Sequence, residues 1–302
     1  MGKLVECVPN ISEGRRKDII DAIVGQVKAF DVRLLDVESD VDHNRSVITY
    51  VGEPEEVRKA TMSLAAKAVE LIDMEKHKGE HPRMGAIDVV PFIPISEMDM
   101  TECIELANRV GKDIAETLKV PVYLYEDAAT RPERQDLAQV RKGQYEGLKT
   151  EIAKPERRPD YGEARMHPTA GAVAVGARQP LVAFNVNLGT RNLEVAKAIA
   201  KAVRNSSGGL RFVKAMGFDI KDKGHVQVSM NLVNYKGTPV FRAYEMVKSE
   251  AERYGVPIIG TEVIGLIPMD ALVDCAEHYL RITGFKRDQI LENRLWSTSN
   301  KS

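Results

Sequence analysis

The sequence predicts an α/β protein, an α+β sandwich built from two copies of one β-α-β-β-α-β unit. Short apolar runs alternate with stretches of helical period along the chain, which indicates a sheet covered by helices. The order of elements in the first half recurs in the second half. The length of 302 residues is also sufficient for two domains of ordinary size. Together these observations favour two ferredoxin-like, split βαβ subdomains.

The first copy has apolar runs typical of strands and helices with one apolar face. Ser12 is the expected N-cap of its first helix. A further helix and strand follow the sixth element. The predicted segments are strand 3–8, helix 13–30, strands 32–37 and 46–51, helix 53–73, strand 86–95, helix 101–118 and strand 120–125.

A charged, proline-containing stretch over residues 131–168 separates the first copy from the second. We expect an N-terminal domain of residues 1–178 and a C-terminal domain of residues 179–302. The predicted segments of the second copy are strand 181–186, helix 191–204, strands 210–218 and 226–233, helix 239–254, strand 257–266 and helix 269–280.

Comparison of the two copies singles out the loop before the last strand of the first copy. The string Pro82-Arg83-Met84-Gly85 corresponds there to Pro257-Ile258-Ile259-Gly260 in the second copy. His81 and Arg83 thus occupy places where the second copy has apolar side chains. Because the fold accepts apolar residues at these places, His81 and Arg83 are candidates for function.

Composition and charge exclude several classes of partner. Lys and Arg total 43 against 44 Asp and Glu, so the chain lacks the positive field that holds nucleic acid or an anionic membrane. No apolar segment has the length of a signal peptide or a membrane span. Cys7, Cys103 and Cys275 form neither a disulfide framework nor a CxxC metal site. We therefore expect a cytoplasmic protein without nucleic-acid or membrane partners.

His81 also closes the string His77-Lys78-Gly79-Glu80-His81, which fits the HxxEH motif of inverted zincins. Gly79 and Pro82 disfavour the helix that would bring both histidines to one zinc ion. We therefore expect no metal at this loop. His81 is instead interpreted as a general acid or base, because imidazole titrates near neutral pH.

Acidic residues of a preceding strand and loop are available to orient His81. Asp36 interrupts an apolar strand, where its charge needs a partner, and Glu38 follows two residues later. Asp40 and Asp42, in contrast, are typical of a solvated turn. Asp36 and Glu38 are therefore the expected partners of the histidine.

A second candidate site is a glycine-bounded segment at the junction of the two copies. Glycine lets the backbone approach a planar ligand, and ligand sites favour such junctions. An ordinary interdomain linker is the alternative interpretation. The segment comprises Gly162, Glu163, Ala164, Arg165, Met166, His167, Pro168, Thr169, Ala170 and Gly171.

Many of these strings resemble motifs of the formiminotransferase domain family, whose members occur alone or fused to a cyclodeaminase. The similarity spans nearly the whole chain, and the block that contains His81 is its longest part. The matching strings are Leu4 to Asn10, Ser12-Glu13-Gly14, Leu34 to Val37, Asn44-Arg45, His77 to Pro94, Val120 to Tyr125 and Ala183 to Leu188.

The resemblance implies a homodimer of chains with two α/β subdomains, whose sheets face a folate tunnel and whose helices lie outside. It also implies a reaction: transfer of a formimino group between N-formimino-L-glutamate and N5 of the co-substrate tetrahydrofolate, in histidine degradation. No metal is required. His81 matches the family's catalytic histidine, and residues 162–171 match its folate-binding segment. Ala170 and His167 depart from the usual family pattern within that segment.

Three further residues are expected to bind substrate. Asn10 lies in one of the matching strings. Arg45 and Arg83 are expected to hold a glutamate carboxylate, because a guanidinium and a carboxylate form a bidentate fork.

Other functions stay open at the level of the sequence. One is a related folate-dependent enzyme that uses formiminoglycine in purine breakdown or transfers a formyl group. Another is a folate-binding protein without catalysis, and a third is the zinc hydrolase. Because the chain ends at Ser302, a separate cyclodeaminase is the expected downstream partner.

Overall fold

A computed structural model of the chain describes residues 2–220 and 223–299. The residues group into two units, Met1–Arg178 and Gln179–Ser302. Each unit has its own sheet and its own apolar core, and each is described here by itself.

The helices and strands of the first unit follow the predicted order closely, with additions after the eighth predicted element. Their bounds are β1 (Leu4–Cys7), β2 (Asn10–Ile11), α1 (Lys17–Val27), β3 (Val32–Asp40), β4 (Arg45–Gly52), α2 (Pro54–Leu71), β5 (Ile87–Ser96), α3 (Met100–Leu118), β6 (Val122–Glu126), α4 (Leu137–Val140), α5 (Gln144–Glu151) and β7 (Val173–Ala177).

The sheet of the first unit has the strand order of a ferredoxin-like fold. Strands β1 and β2 act as one strand interrupted at Val8 and Pro9, and both pair antiparallel with β4 on one side and β5 on the other. Strand β3 pairs with the far edge of β4. On the opposite side, β7 pairs parallel with β5, and β6 pairs parallel with β7. The predicted fold class is confirmed, and β7 and β6 extend it.

Helices α1, α2 and α3 cover one face of this sheet. Their apolar side chains share a core with alternate residues of the strands, such as Val5, Ile48 and Val175. Since the side chains of a strand alternate between faces, the remaining strand residues point to the opposite face.

The opposite face is covered only in part. The segment that contains α4 and α5 packs on β5, β6 and β7, where Val89, Tyr123, Tyr125 and Ala174 form a second apolar cluster with Leu148. We call residues 132–157 the covering segment. The sequence predicted no regular structure for this stretch, yet it is largely helical and belongs to the first unit.

The prediction for the start of the first helix is wrong. Helix α1 begins at Lys17, and the hydroxyl of Ser12 donates to the carbonyl oxygen of Gly85 at 2.7 Å instead of capping a helix. The buried carboxylate of Glu13 accepts the N–H groups of Arg15 and Arg16, each at 2.9 Å. Glu13 therefore satisfies the backbone donors that precede α1.

The second unit repeats the ferredoxin-like order. Its sheet has the antiparallel order β11-β8-β10-β9, and α6 and α7 supply the apolar side chains of its core. The elements are β8 (Val182–Leu188), α6 (Leu193–Val203), β9 (Val213–Ile220), β10 (His225–Leu232), α7 (Val240–Arg253), β11 (Ile258–Ile264), α8 (Met269–Leu280) and α9 (Leu291–Ser299).

Candidate active site

His81 lies in the loop between α2 and β5, and this loop is fastened to the turn between β3 and β4. The buried side chain of Asn44 accepts the N–H of Gly14 at 2.9 Å and donates to the carbonyl oxygen of Lys78 at 3.0 Å. Gly79 lies so close to this turn that a Cβ there would be 2.3 Å from the carbonyl oxygen of His43. The backbone before His81 is therefore held in one position by contacts that a larger residue at Gly79 would break.

The loop does not form the helix that a zinc motif requires. Residues 72–86 are all described and none of them is helical. One ring nitrogen of His77, Nε2, lies 3.0 Å from the carbonyl oxygen of Asn44, and the other accepts from Arg83 Nε at 3.3 Å. Within the described part of the chain, no three His, Cys, Asp or Glu side chains are grouped as a metal site needs.

The imidazole of His81 is hydrogen-bonded to Arg45. The distance from Arg45 Nη1 to His81 Nε2 is 2.7 Å. Because a guanidinium only donates, Nε2 accepts and the proton of the neutral ring lies on Nδ1. Arg45 Nη1 also lies 3.4 Å from Asn10 Oδ1. Thus His81, Arg45 and Asn10, all expected site residues, lie together.

The surroundings keep His81 neutral. Burial lowers its pKa to about 3, with further lowering by the positive charges of Arg45 and Arg141 and by His43. Burial and the charge of Arg141 likewise lower the pKa of Arg45. The site is therefore a neutral imidazole beside two guanidinium groups that repel each other.

Both guanidinium groups retain a donor for a further partner. Among the described residues, Arg45 Nε and Arg141 Nε are buried and have no hydrogen-bond acceptor. Arg141 also forms an ion pair with the fully buried Asp88, whose other oxygen accepts the N–H of Met84 at 2.8 Å. Buried N–H groups without acceptors are costly, so an anion that binds here would be stabilised by both arginines.

The strand register places the expected carboxylates on the same face of the sheet as Arg45, at increasing distance. Asp40 is directly opposite Arg45, Glu38 is opposite Val47, and Asp36 is opposite Thr49. At about 3.3 Å per residue, Glu38 lies about 7 Å and Asp36 about 13 Å along the strand from Arg45. Within the described residues, neither carboxylate is hydrogen-bonded to His81.

Asp40, interpreted from the sequence as a solvated turn residue, lies nearer to the histidine. Its Oδ1 accepts the backbone N–H of His43 at 2.7 Å and is 3.1 Å from His43 Nδ1. The ring of His43 faces that of His81 edge-on, with 6.2 Å between the ring centres. A signal for Asp40 exists in the sequence, because Asp36, Glu38 and Asp40 alternate as residues on one face of a strand do.

Arg141 has no comparable signal in the sequence. It lies in a polar stretch, 60 residues after His81 in the sequence. Its place beside Arg45 and Asp88 results from the packing of the covering segment on β5, β6 and β7.

Arg83 is bonded to the covering segment. Its Nη2 and Nη1 donate to the two carboxylate oxygens of Glu146 at 2.7 and 3.0 Å, and Nη1 also donates to Gln144 Oε1 at 3.1 Å. The side chain is buried. This geometry is the bidentate fork expected of Arg83, with a carboxylate of the chain itself as the partner.

The segment from Gly162 to Gly171 divides into two parts. In the inner part, His167 Nδ1 accepts the N–H of Ala170 at 3.0 Å, and Gly171, at φ +74°, lies where a Cβ would be 2.4 Å from the carbonyl oxygen of Met84. Met74 N–H donates to Thr169 at 2.8 Å. This part is a turn, buried at Ala170 and Gly171, that contacts both ends of the His81 loop.

The outer part lines a cleft of ≈ 600 Å³ beside the C-terminal half of α3. Arg165 is exposed there and forms an ion pair with Glu163 at 3.2 Å. The lining residues are Lys112, Ala115, Glu116, Lys119, Tyr161, Gly162, Glu163, Arg165, Met166, His167 and Pro168.

In residues 2–220 and 223–299, no helix combines the length and the apolar character that crossing a bilayer requires.

Comparisons with known proteins relate both units of the chain to one family. A model of the formiminotransferase domain, N-terminal subdomain, matches residues 4–178, and a model of the formiminotransferase domain matches residues 183–293. The glutamate formimidoyltransferase of Streptococcus pyogenes serotype M1 is 52% identical over 98% of this chain and 99% of its own length. That of Thermoplasma acidophilum is 48% identical with the same coverage. The formimidoyltransferase-cyclodeaminase of Dictyostelium discoideum is 42% identical over 98% of this chain and 56% of its own length.

Proposed function

The chain belongs to the formiminotransferase domain family, and on that premise we propose that it transfers the formimino group between N-formimino-L-glutamate and N5 of tetrahydrofolate. The two standalone relatives that match it end to end carry the name of this activity. Tetrahydrofolate is the co-substrate. The activity is that of a one-carbon transferase in histidine degradation.

The observation that carries the proposal is the neutral imidazole of His81 with its acceptor nitrogen turned to Arg45. Formimino transfer begins when N5 of tetrahydrofolate attacks the amidinium carbon, and a bond forms between that nitrogen and that carbon. The attacking nitrogen must then lose a proton, for which a neutral imidazole is the suitable base. In this proposal the Arg45 guanidinium exchanges its hydrogen bond with His81 Nε2 for the substrate carboxylate, and the freed Nε2 takes this proton.

The second half of the reaction returns the proton. The bond between the formimino carbon and the glutamate nitrogen breaks, and that nitrogen needs a proton to depart as an amine. His81, now protonated at Nε2, donates it. Each turnover leaves the imidazole as it began, so that a single histidine serves as base and then as acid.

We assign the substrate carboxylate to Arg45 and Arg141. Each has a buried Nε–H without an acceptor among the described residues, and each lowers the pKa of His81 through its positive charge. A bound carboxylate satisfies these donors and offsets the two charges, which raises the pKa of His81 towards the range useful for acid catalysis. Substrate binding therefore prepares the histidine for proton transfer.

The acidic side chains of β3 suit the cationic end of the substrate. Asp36 and Glu38 lie on the face that carries Arg45, and the negative charge of Glu38 acts on the Arg45 guanidinium. We propose that these two carboxylates stabilise the positively charged formimino group, and that Asp40 positions His81 through His43. Asn10 positions Arg45 by its contact with Nη1.

We propose that the outer part of the segment 162–171 contacts the folate. The cleft that it lines contains Lys112, Lys119 and Arg165, whose charges suit the carboxylates of folate. The inner part, which is buried at Ala170 and Gly171, holds the outer part in position.

Replacement of His81 by alanine tests the proposal. We expect turnover with formiminoglutamate and tetrahydrofolate to fall about 10² to 10⁴-fold, because the proton transfers lose their catalyst, with little change in substrate binding. The matched control is His278→Ala, which removes a histidine that stacks on Phe241 in the second unit. The assay measures formation of 5-formimino-tetrahydrofolate, and near-normal turnover in a folded His81→Ala protein would refute the assignment.

The same assay separates the other functions. Activity with formiminoglycine alone would move the enzyme to purine breakdown, since a site built for glutamate leaves charged groups unpaired when glycine is offered. Folate binding without transfer to or from either substrate would indicate a binding protein.

We also propose a cytoplasmic homodimer and a cyclodeaminase that acts on the product. The eukaryotic relatives include a fused cyclodeaminase by name. Exposed apolar side chains along α8, among them Leu272 and Leu280, favour association of two chains.

A further inference from the structure

Asp88 is a buried charge in the sheet of the first unit. It is the one charged residue of the apolar run 86–95, and it lies on β5, an inner strand that pairs with β1 and β2 on one side and with β7 on the other. The residue is fully buried. A buried carboxylate is costly unless it is paired and hydrogen-bonded, so the fold depends on the partners of Asp88.

Both carboxylate oxygens of Asp88 have a partner in the candidate active site. Oδ1 accepts the N–H of Met84, which belongs to the loop of His81, at 2.8 Å. Oδ2 forms an ion pair with Arg141, the residue that follows α4 in the covering segment. One carboxylate therefore joins the loop that carries the base to a cation that the covering segment supplies.

The charge of Asp88 also acts on Arg45. Burial and the positive charge of Arg141 lower the pKa of Arg45, whereas the negative charges of Asp88, Asp40 and Glu38 raise it. Asp40 is half exposed and Glu38 is exposed, so water weakens the effect of both. Asp88 is the buried carboxylate of the three. Its charge therefore opposes the repulsion between the two guanidinium groups most directly.

The ion pair leaves Arg141 with a donor for a ligand. Asp88 engages Nη2 of Arg141, while the buried Nε of Arg141 and that of Arg45 have no acceptor among the described residues. Two guanidinium groups against one buried carboxylate leave a positive charge, which matches a single carboxylate of a substrate. The site is thus complete in donors and in charge only while Arg141 stays in place.

We propose that Asp88 is the positioning residue of the substrate carboxylate site. It holds Arg141 beside Arg45 against the repulsion between them, so that both arginines donate to one carboxylate of N-formimino-L-glutamate. Through Met84 it also fixes this site relative to the loop of His81. Asp88 itself does not touch the substrate and acts through Arg141. This inference rests on the proposed function, which assigns the substrate carboxylate to the two arginines.

The replacement Asp88→Asn tests the assignment, because asparagine keeps an acceptor for the N–H of Met84 and removes the charge. Arg141 then loses its counter-charge and moves away from Arg45. We expect KM for formiminoglutamate to rise about tenfold to a hundredfold, because the substrate carboxylate loses a hydrogen bond from a charged donor. The values of kcat and of KM for tetrahydrofolate should change less than about threefold, since the base stays in place. A folded Asp88→Asn protein with a normal KM for formiminoglutamate would overturn the proposal.

A double variant separates carboxylate binding from stability. Arg141→Met alone leaves Asp88 buried without a counter-charge, and the second change, Asp88→Asn, relieves this cost because neutral residues of similar size often replace a buried ion pair well. The double variant should therefore resist urea better than Arg141→Met, yet have the same raised KM for formiminoglutamate. A KM in the double variant that equals the product of the two single effects would show that Asp88 acts independently of Arg141, which contradicts the proposal.

The matched control is Asp160→Asn, also in the first unit. The buried carboxylate of Asp160 likewise accepts a backbone N–H, that of Leu124 at 2.8 Å, and pairs with Arg134 of the covering segment. Its loss should destabilise the protein towards urea as Asp88→Asn does, and leave KM for formiminoglutamate within about twofold of the wild-type value. An equal rise of KM in both variants would indicate a general loosening of the covering segment and would refute the positioning role.

Binding of the product L-glutamate distinguishes this inference from the proposed function. In titration calorimetry, Asp88→Asn and Arg141→Met should each bind L-glutamate about tenfold to a hundredfold more weakly than the wild type does. If the wild type transfers formimino groups and Asp88→Asn binds L-glutamate as the wild type does, the positioning role is wrong and the function stands. If the wild type transfers no formimino group, the proposed function fails, and the same titration still decides whether Asp88 and Arg141 together hold a carboxylate.

Discussion

The chemistry proposed for the first unit depends on one imidazole that is kept without a proton. His81 is held by its loop against the turn that carries His43, and Arg45 donates to its Nε2. Burial and two nearby guanidinium groups oppose protonation. In the proposed mechanism, the free protein therefore has a base in place, and its acid form is produced when a substrate anion offsets the positive charges.

The lowered pKa of His81 predicts a stability that falls in mild acid. The unfolded chain binds a proton at the histidine near pH 6.5, whereas the folded chain does so only near pH 3, so the unfolded state gains protons between these values. The contribution of His81 is complete above pH 6.5 and is lost as the pH falls. Between pH 7 and pH 5 we expect a loss of about 1–2 kcal/mol, after allowance for solvent screening.

Urea unfolding at both pH values measures this contribution when wild type is compared with His81→Ala. The variant should lose less unfolding free energy between pH 7 and pH 5 than the wild type, by the amount given. The His278→Ala protein, with an exposed histidine replaced, should behave as the wild type does. An equal acid loss in wild type and His81→Ala would show that the histidine titrates normally.

At the scale of elements, the covering segment links the sheet to the site. Three ion pairs secure it and the chain that follows it: Arg83 with Glu146, Arg141 with Asp88, and Arg134 with Asp160. The first of these engages the loop of His81, and the second places Arg141 beside Arg45. The segment thus supplies a site residue and the contacts that hold it.

The fork between Arg83 and Glu146 provides a test of what Arg83 does. If it fastens the covering segment, Arg83→Lys and Glu146→Gln each destabilise the fold by about 1–3 kcal/mol, and their effects are strongly non-additive in the double variant. KM for formiminoglutamate then stays near the wild-type value. Urea unfolding and steady-state kinetics measure both quantities.

The exposed pair of Arg165 and Glu163 is the matched control for this experiment. Both side chains are largely in solvent, so Arg165→Lys should change stability by less than about 0.5 kcal/mol. A raised KM for formiminoglutamate in Arg83→Lys, without loss of stability, would instead support the glutamate clamp predicted from the sequence.

In the molecule as a whole, the two ferredoxin-like units carry different side chains on the sheet face opposite their helices. The first unit has His81 and the cations there, and in the second unit the carboxylate of Glu262 accepts a hydrogen bond from Gln227 Nε2 at 3.0 Å. The helix-covered faces, in contrast, are apolar in both units. Each unit needs an apolar core, which explains why the helix-covered faces are alike. The positions at which the opposite faces differ are the candidates for functional sites.

We expect the purified protein to be a homodimer with twice the chain mass of 33.5 kDa. Exposed leucines along α8 lose contact with water when two chains associate, which favours the dimer. Light scattering coupled to size-exclusion chromatography measures the mass. Leu280→Glu should shift the population towards monomer, whereas Ile95→Glu, at an exposed position in the first unit, should not. A monomeric wild type at micromolar concentration would contradict the expectation.

The order of elements and the two ferredoxin-like copies could be predicted from the sequence alone, and so could the candidacy of His81. The spacing of apolar residues is a local property of the sequence, so it predicted most strands and helices to within a few residues. It did not predict β7, in which Val173 and Val175 alternate with two alanines and a glycine, or the helices of the covering segment. His81 was identifiable because the second copy has an apolar residue at the matching place.

The side chains that surround this histidine are set by tertiary packing. Asp40, and not Asp36, lies directly opposite Arg45 because the register of β3 and β4 sets which residues face each other. Arg141 came to the site, and Arg83 to Glu146, because the covering segment folds back over the sheet. The physical reason is the same in each case: a charge interacts with whatever lies within a few ångströms, and for residues far apart in the chain that distance is set by packing.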